Sequence, residues 1–173
     1  MRDEPELWNS LMQRIAEHSV SSIASQLNAG AKAFQLFDSW AGILGDAQYE
    51  EFGIRYIRQI TEAIPSIPFT VFSKGAIGSL PNLATLPCTT IGLDWNMSVD
   101  VARTLVQESK TLQGNLDPCV LYGSNDLIEN ETRKLLKSFK SQRHIVNLGH
   151  GVYPDIDPEK VKVFINTVKN YEI

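Results

Sequence analysis

The chain has 173 residues, 43% of them hydrophobic and 21% charged, with a net charge of -4, the size and balance of a single globular domain over residues 1–173. That acidity, with no Lys/Arg cluster, excludes a broad nucleic-acid footprint, and with neither an 18-residue apolar run nor a signal-like N-terminus the expected location is cytoplasmic, with no membrane partner. Cys88 and Cys119 are the two cysteines, too few for a disulfide framework or a multi-cysteine zinc site, and both read as buried thiols.

The first helix is marked by Leu7, Leu11 and Ile15, with Trp8, Met12 and Ala16 beside them, and extends to Leu27; Asp3 with Glu6 three residues on, and Pro5 in the first turn, suggest a capped start, and Gly30 the stop. A strand-length run, 33–37, follows and gives way to Asp38, Ser39 and a turn at Gly42. Phe52, Tyr56 and Ile60 at four-residue spacing predict a second helix closed by Pro65. Next come a strand over 69–72 ending in Ser73, Lys74 and Gly75, a weakly marked helix over 80–86, and a strand over 89–93 ending in Asp94 and Trp95. A helix over 98–109 is expected to bury Val99, Ala102, Leu105 and Val106, before a strand over 111–113 and a turn through Gly114, Asn115, Asp117 and Pro118. A helix capped near Ser124 places Leu127, Ile128, Leu135, Leu136 and Phe139 on one side; the fifth strand is 144–148. The last helix starts at Asp157 with Pro158 at its first position and buries Val161, Val168 and either Phe164 or Ile165.

Strands alternating with helices, each strand a continuous apolar run, define an α/β chain with a parallel sheet. Every strand ends on its C-terminal side in groups that can bind or react: Asp38 and Ser39, Lys74, Asp94, Asn115 and Asp117, then His150. The C-terminal rim of such a sheet is where ligands bind, in open sheets and barrels alike. Neither G-x-G-x-x-G nor G-x-x-x-x-G-K-[ST] is present, which argues against a nucleotide-binding sheet. A barrel needs eight strands, so five predict the C-terminal five β/α units of a (β/α)8 TIM barrel, incomplete in this chain and with unpaired edges that favour association.

Four segments, "QLFDSWAG" (35–42), "GLDW" (92–95), "LQGNLDP" (112–118) and "NLGHGVYPDIDPE" (147–159), resemble in order and interval the C-terminal half of the uroporphyrinogen decarboxylase family, and the resemblance covers nearly the whole chain. It implies a cofactor-free, homodimeric (β/α)8 barrel that removes four acetate carboxyls from uroporphyrinogen III to give coproporphyrinogen III in haem biosynthesis. It also implies that Phe37 lines the substrate pocket, that Ser39 hydrogen-bonds a substrate carboxylate, and that His150 meets another from the last strand, with Gly149 and Gly151 letting the macrocycle approach. Hydroxyl and imidazolium donors suit a polycarboxylate. The family's catalytic aspartate, its arginine cluster and a pocket tyrosine belong to the N-terminal half, so the catalytic group is not assigned here and the isolated chain is expected to be inactive.

For each residue a plainer reading stands beside the chemical one. Asp117 is a turn or helix-start residue, Asp94 and Lys74 pair at neighbouring strand ends, Ser39 caps the following helix, and His150 makes a structural hydrogen bond in its turn. Two other functions compete: a non-catalytic remnant that binds a porphyrinogen or a partner barrel, and a zinc-dependent methyltransferase on the same kind of barrel. The second would require His and Cys ligands near the last strands, and "LGHG" has no neighbouring cysteine, so no metal is expected.

Overall fold

A computed structural model describes residues 3–64, 67–107, 110–139 and 143–172; the expected helix ends at Pro65 and Ser109 lie outside them. Five strands form one parallel sheet in chain order: β1 (Phe34–Asp38), β2 (Phe69–Ser73), β3 (Thr90–Gly92), β4 (Thr111–Leu116) and β5 (His144–Leu148). The helices between them are α1 (Pro5–Asn28) ahead of β1, α2 (Asp46–Tyr49) and α3 (Arg55–Glu62) joined by a π turn over 50–54, α4 (Leu80–Ala84), α5 (Val99–Val106), α6 (Asn125–Phe139) and α7 (Pro158–Lys169).

The sheet curls. Gln113 of β4 donates from Nε2 to Oε1 of Gln35 on β1 at 3.2 Å, although β2 and β3 separate the two strands. The barrel-like curvature is thus present without closure: β1 and β5 are the edges. Val71, Ile91 and Leu112, register partners on β2, β3 and β4, are 0% exposed and anchor the larger core, which α5, α6 and α7 cover from one side.

Several expectations shift on detail. Along α1 the stripe that packs is Trp8, Met12, Ala16, Val20, Ile23 and Leu27, against Tyr56 and Ile60 of α3. Leu7, Leu11 and Ile15 stay exposed, at 66%, 50% and 48%, because α1 meets the sheet only through the neighbouring stripe. Glu4 is the N-cap and no side chain caps it, so the Asp3–Glu6 box does not form, while Pro5 opens the helix as expected. β4 runs on through Gly114 to Leu116 where a turn was expected; Gly114 has φ +129° and a side chain there would meet the Leu93 carbonyl, so backbone packs on backbone. Ser124 caps α6 through the Leu127 N–H at 3.2 Å, but Leu127 is exposed and lies over Gly123. In α7, Phe164 is buried and Ile165 exposed. Cys88 is buried; Cys119 is exposed, because it sits in the first turn after Asp117 on the rim rather than under a helix.

Candidate functional site

Two cavities flank β1. The larger, about 460 Å³, lies between α1, the outer face of β1 and the helix pair around the π turn, and its walls are Trp8, Met12, Ile15, Phe52, Tyr56 and their apolar neighbours. Its hydroxyls and its carboxylate are engaged, while the indole N–H of Trp8 is buried without a hydrogen-bond partner among the described residues. The Tyr49 hydroxyl, buried, lies 2.7 Å from Ser73 Oγ, and burial together with the nearby Asp38 carboxylate pushes its pKa far above the ordinary tyrosine value. Gly53 in the π turn leaves the space that the Tyr49 ring occupies.

The second cavity, about 350 Å³, is inside the curl at the C-terminal ends of the strands. Alternation along β1 carries Gln35, Phe37 and Ser39 to it, and Phe72 of β2, Gly92 of β3, Gln113 of β4 and Asn147 of β5 complete the wall, with His150 and Gly151 at the mouth. Phe37, Ser39 and His150 therefore share one cavity although β1 and β5 are opposite edges of the sheet. Gln35 and Gln113, bonded to each other, form with Asn147 an uncharged amide floor.

His150 is half-buried and held by rings. Phe72 and Trp95 both meet it edge-on, with centroids 6.1 Å away at 68° and 89°. Its imidazole makes no hydrogen bond among the described residues, so the turn-bond reading does not apply and both nitrogens remain available. Its glycine neighbours differ in use. A side chain at Gly149 would fall on the Trp95 backbone nitrogen, whereas at Gly151 it would meet open space; Gly149 thus admits the protein's own backbone, and only Gly151 leaves room beside the cavity. Ser39 is exposed at the rim. The following 3-10 turn (Ala41–Ile43) starts at Trp40 with no side-chain cap, so Ser39 does not cap it.

The acids at the rim are held by backbone. Asp94, 0% exposed, accepts the Gly75 N–H at 2.6 Å on Oδ2 and the Asn96 N–H at 2.8 Å on Oδ1. Lys74 does not pair with it: the ammonium lies over the Trp95 ring, 5.1 Å from its centroid. Asp117 accepts the Cys119 N–H at 2.8 Å and caps the short turn Pro118–Tyr122. Among the described residues no three His, Cys, Asp or Glu side chains come together as a metal site, and no helix is long and apolar enough to cross a membrane.

Phe72, Trp95, Gln35, Gln113 and Asn147 were not singled out from the sequence as site residues. For Gln35 the signal was present, since it shares the period-two face of Phe37 and Ser39. Trp95 and Phe72 act through a turn more than fifty residues distant in the chain, which periodicity does not reach.

A curled parallel sheet with alternating helices, and a ligand-sized cavity at its strand C-termini, defines a (β/α)-barrel type of α/β protein. A methyltransferase from Methanosarcina mazei has the same fold, with a TM-score of 0.79 at 17% identity over 89% of this chain and 46% of that one. The family model for uroporphyrinogen decarboxylase (URO-D) matches residues 1–171, and the chain belongs to that family. Curated relatives include the uroporphyrinogen decarboxylases of Francisella philomiragia, 37% identical over all of this chain and 52% of theirs, and of Chlorobium limicola, 40% identical over 98% of this chain and 50% of theirs. The chain spans about half the length of the curated relatives it matches.

Proposed function

We propose that this chain supplies the carboxylate-holding wall of a uroporphyrinogen decarboxylase pocket, a carboxy-lyase site that converts uroporphyrinogen III to coproporphyrinogen III. The observation that carries the reading is the convergence of Ser39 and His150 on one cavity over an aromatic and amide floor. In this role Ser39 donates its hydroxyl to one substrate carboxylate and His150 to another, and Phe37 and Phe72 offer apolar faces to the macrocycle, which carries eight carboxylates around an apolar ring system. Loss of carbon dioxide from a pyrrole acetate requires protonation of the ring and an anion set against the resulting cation. Asp94 and Asp117 are committed to backbone N–H groups, so neither is assigned that work. It falls to an aspartate from the N-terminal half of the barrel, in a cytoplasmic homodimer of complete barrels, and the chain alone is inactive.

The test is to supply the N-terminal half of the Chlorobium limicola enzyme in trans and measure coproporphyrinogen formation from uroporphyrinogen III. The combination is expected to be active and each part alone silent; His150→Ala should lower kcat/KM about tenfold, the worth of one charge-assisted hydrogen bond. A full rate with His150→Ala removes that residue from the site.

The open edge supports a second reading, a non-catalytic chain that binds a partner barrel. Beside β1, Phe37, Trp40 and Ile43 are 69%, 75% and 74% exposed, an apolar surface of the kind that marks protein contacts. Coproporphyrinogen formation in the complementation assay rejects it.

A further inference from the structure

Lys74 is the first residue after β2, in the turn at the C-terminal end of that strand. Along that strand Phe72 faces the cavity and Ser73 faces the helices through Tyr49; Lys74 follows in the turn beyond the strand, with its ammonium over the Trp95 ring. Three contacts fix its backbone there: the Lys74 N–H donates to the Asp38 carbonyl at 3.0 Å, its carbonyl accepts the Gly42 N–H at 2.8 Å, and Asp94 holds the next N–H, that of Gly75.

Its charge is uncommitted. Asp94, the acid at the neighbouring strand end, is turned to two backbone N–H groups, and no carboxylate lies within ion-pair distance of the Lys74 ammonium among the described residues. What holds the ammonium is the face of Trp95, whose edge-on partner is His150. Trp95 therefore links a lysine to a histidine: His150 lines the cavity, and Lys74 and Trp95 stand beside it, outside its wall. A cation resting on an aromatic face keeps its hydrogen-bond donors free for an arriving anion, and a four-carbon stem lets the head swing to it.

We propose that Lys74 is a binding residue of the pocket, forming with His150 and across Trp95 a two-point clamp for two carboxylates of a polyanionic tetrapyrrole. The proposal rests on the porphyrinogen reading above and adds to it a cationic contact from the turn after β2. Where His150 is a short, planar donor, Lys74 is a long point charge; the pair thereby suits carboxylates at different heights on the rim, and the lysine gives binding a dependence on ionic strength.

The test uses the 173-residue chain and uroporphyrin, the oxidised octacarboxylate, as probe, with binding followed through the fluorescence of the porphyrin at several salt concentrations. Lys74→Gln should weaken binding about tenfold and flatten its salt dependence, while Lys74→Arg keeps both near wild type. Circular dichroism and Tm unchanged from wild type show that each variant is folded. If wild type binds and Lys74→Gln binds equally well, Lys74 is outside the site and the porphyrinogen reading stands. Equal weakening by Gln and Arg shows that the stem packs on Trp95 and its charge is not used, which also overturns the clamp. Absence of wild-type binding overturns the clamp and the porphyrinogen reading together.

Discussion

The two cavities on either side of β1 differ in a way that size does not predict. The outer one is larger and almost wholly apolar, and its hydroxyl and carboxylate are engaged with Ser73 and with the Trp40 backbone. The inner one is smaller but brings together a free hydroxyl, a free imidazole and three side-chain amides at the strand ends. The larger void is thus not the one richer in side-chain donors at the C-terminal rim, the part of a parallel α/β sheet that generally carries ligand sites.

Gly149→Val gives the largest expected effect, because the new side chain meets the Trp95 backbone, which cannot swing away. A loss of about 3 kcal/mol is expected, with the inner cavity disordered, read as a lower denaturant midpoint at constant m-value and as lost porphyrin binding. A variant that binds normally would show that the cavity does not depend on the Gly149–Trp95 contact.

Tyr49→Phe probes the outer side. It leaves Ser73 without its buried partner and should cost about 1–2 kcal/mol, with porphyrin binding unchanged. Weakened binding at equal foldedness would break the division between the two cavities.

The smallest effect belongs to neither cavity. His144, at the far end of β5, is stacked on Phe139 with centroids 3.4 Å apart, and its Nε2 is 2.6 Å from the Gly114 carbonyl, which identifies the neutral form as the Nε2–H tautomer. Burial lowers its pKa from the ordinary 6.5, opposed in part by the hydrogen bond to Gly114 and aided by the Arg103 charge. The folded state thus binds its proton less readily than the unfolded chain. Its contribution is whole above about pH 6.5 and declines as pH falls from there through the lower folded pKa. Tm should drop over that window in wild type and drop less in His144→Gln; parallel profiles would assign the sensitivity elsewhere.

The strands and the rim were legible because both depend on local signals: apolar runs of strand length, and polar residues placed directly after them. Ser39 and His150, which line one cavity, stood out in that way as candidates, together with the four segments that resemble the family. What the sequence did not disclose depends on contacts across the fold. Leu7, Leu11 and Ile15 marked α1 by their spacing, with Trp8, Met12 and Ala16 beside them, but which of these stripes packs is decided by where α3 lies. Lys74 and Asp94 read as an ion pair, but Asp94 accepts the Gly75 and Asn96 N–H groups and the lysine goes to Trp95. Gly149 read as room for a ligand, and Trp95, from another loop, fills that room.

Asp94 has a consequence for how this rim can be rebuilt. Its carboxylate fastens the loop after β2 to the loop after β3, and Gly42 against Gly75 brings the loop after β1 into the same backbone contact. The three loops form one interlocked unit, so grafting any one of them from a relative onto this scaffold should fail unless its two neighbours travel with it.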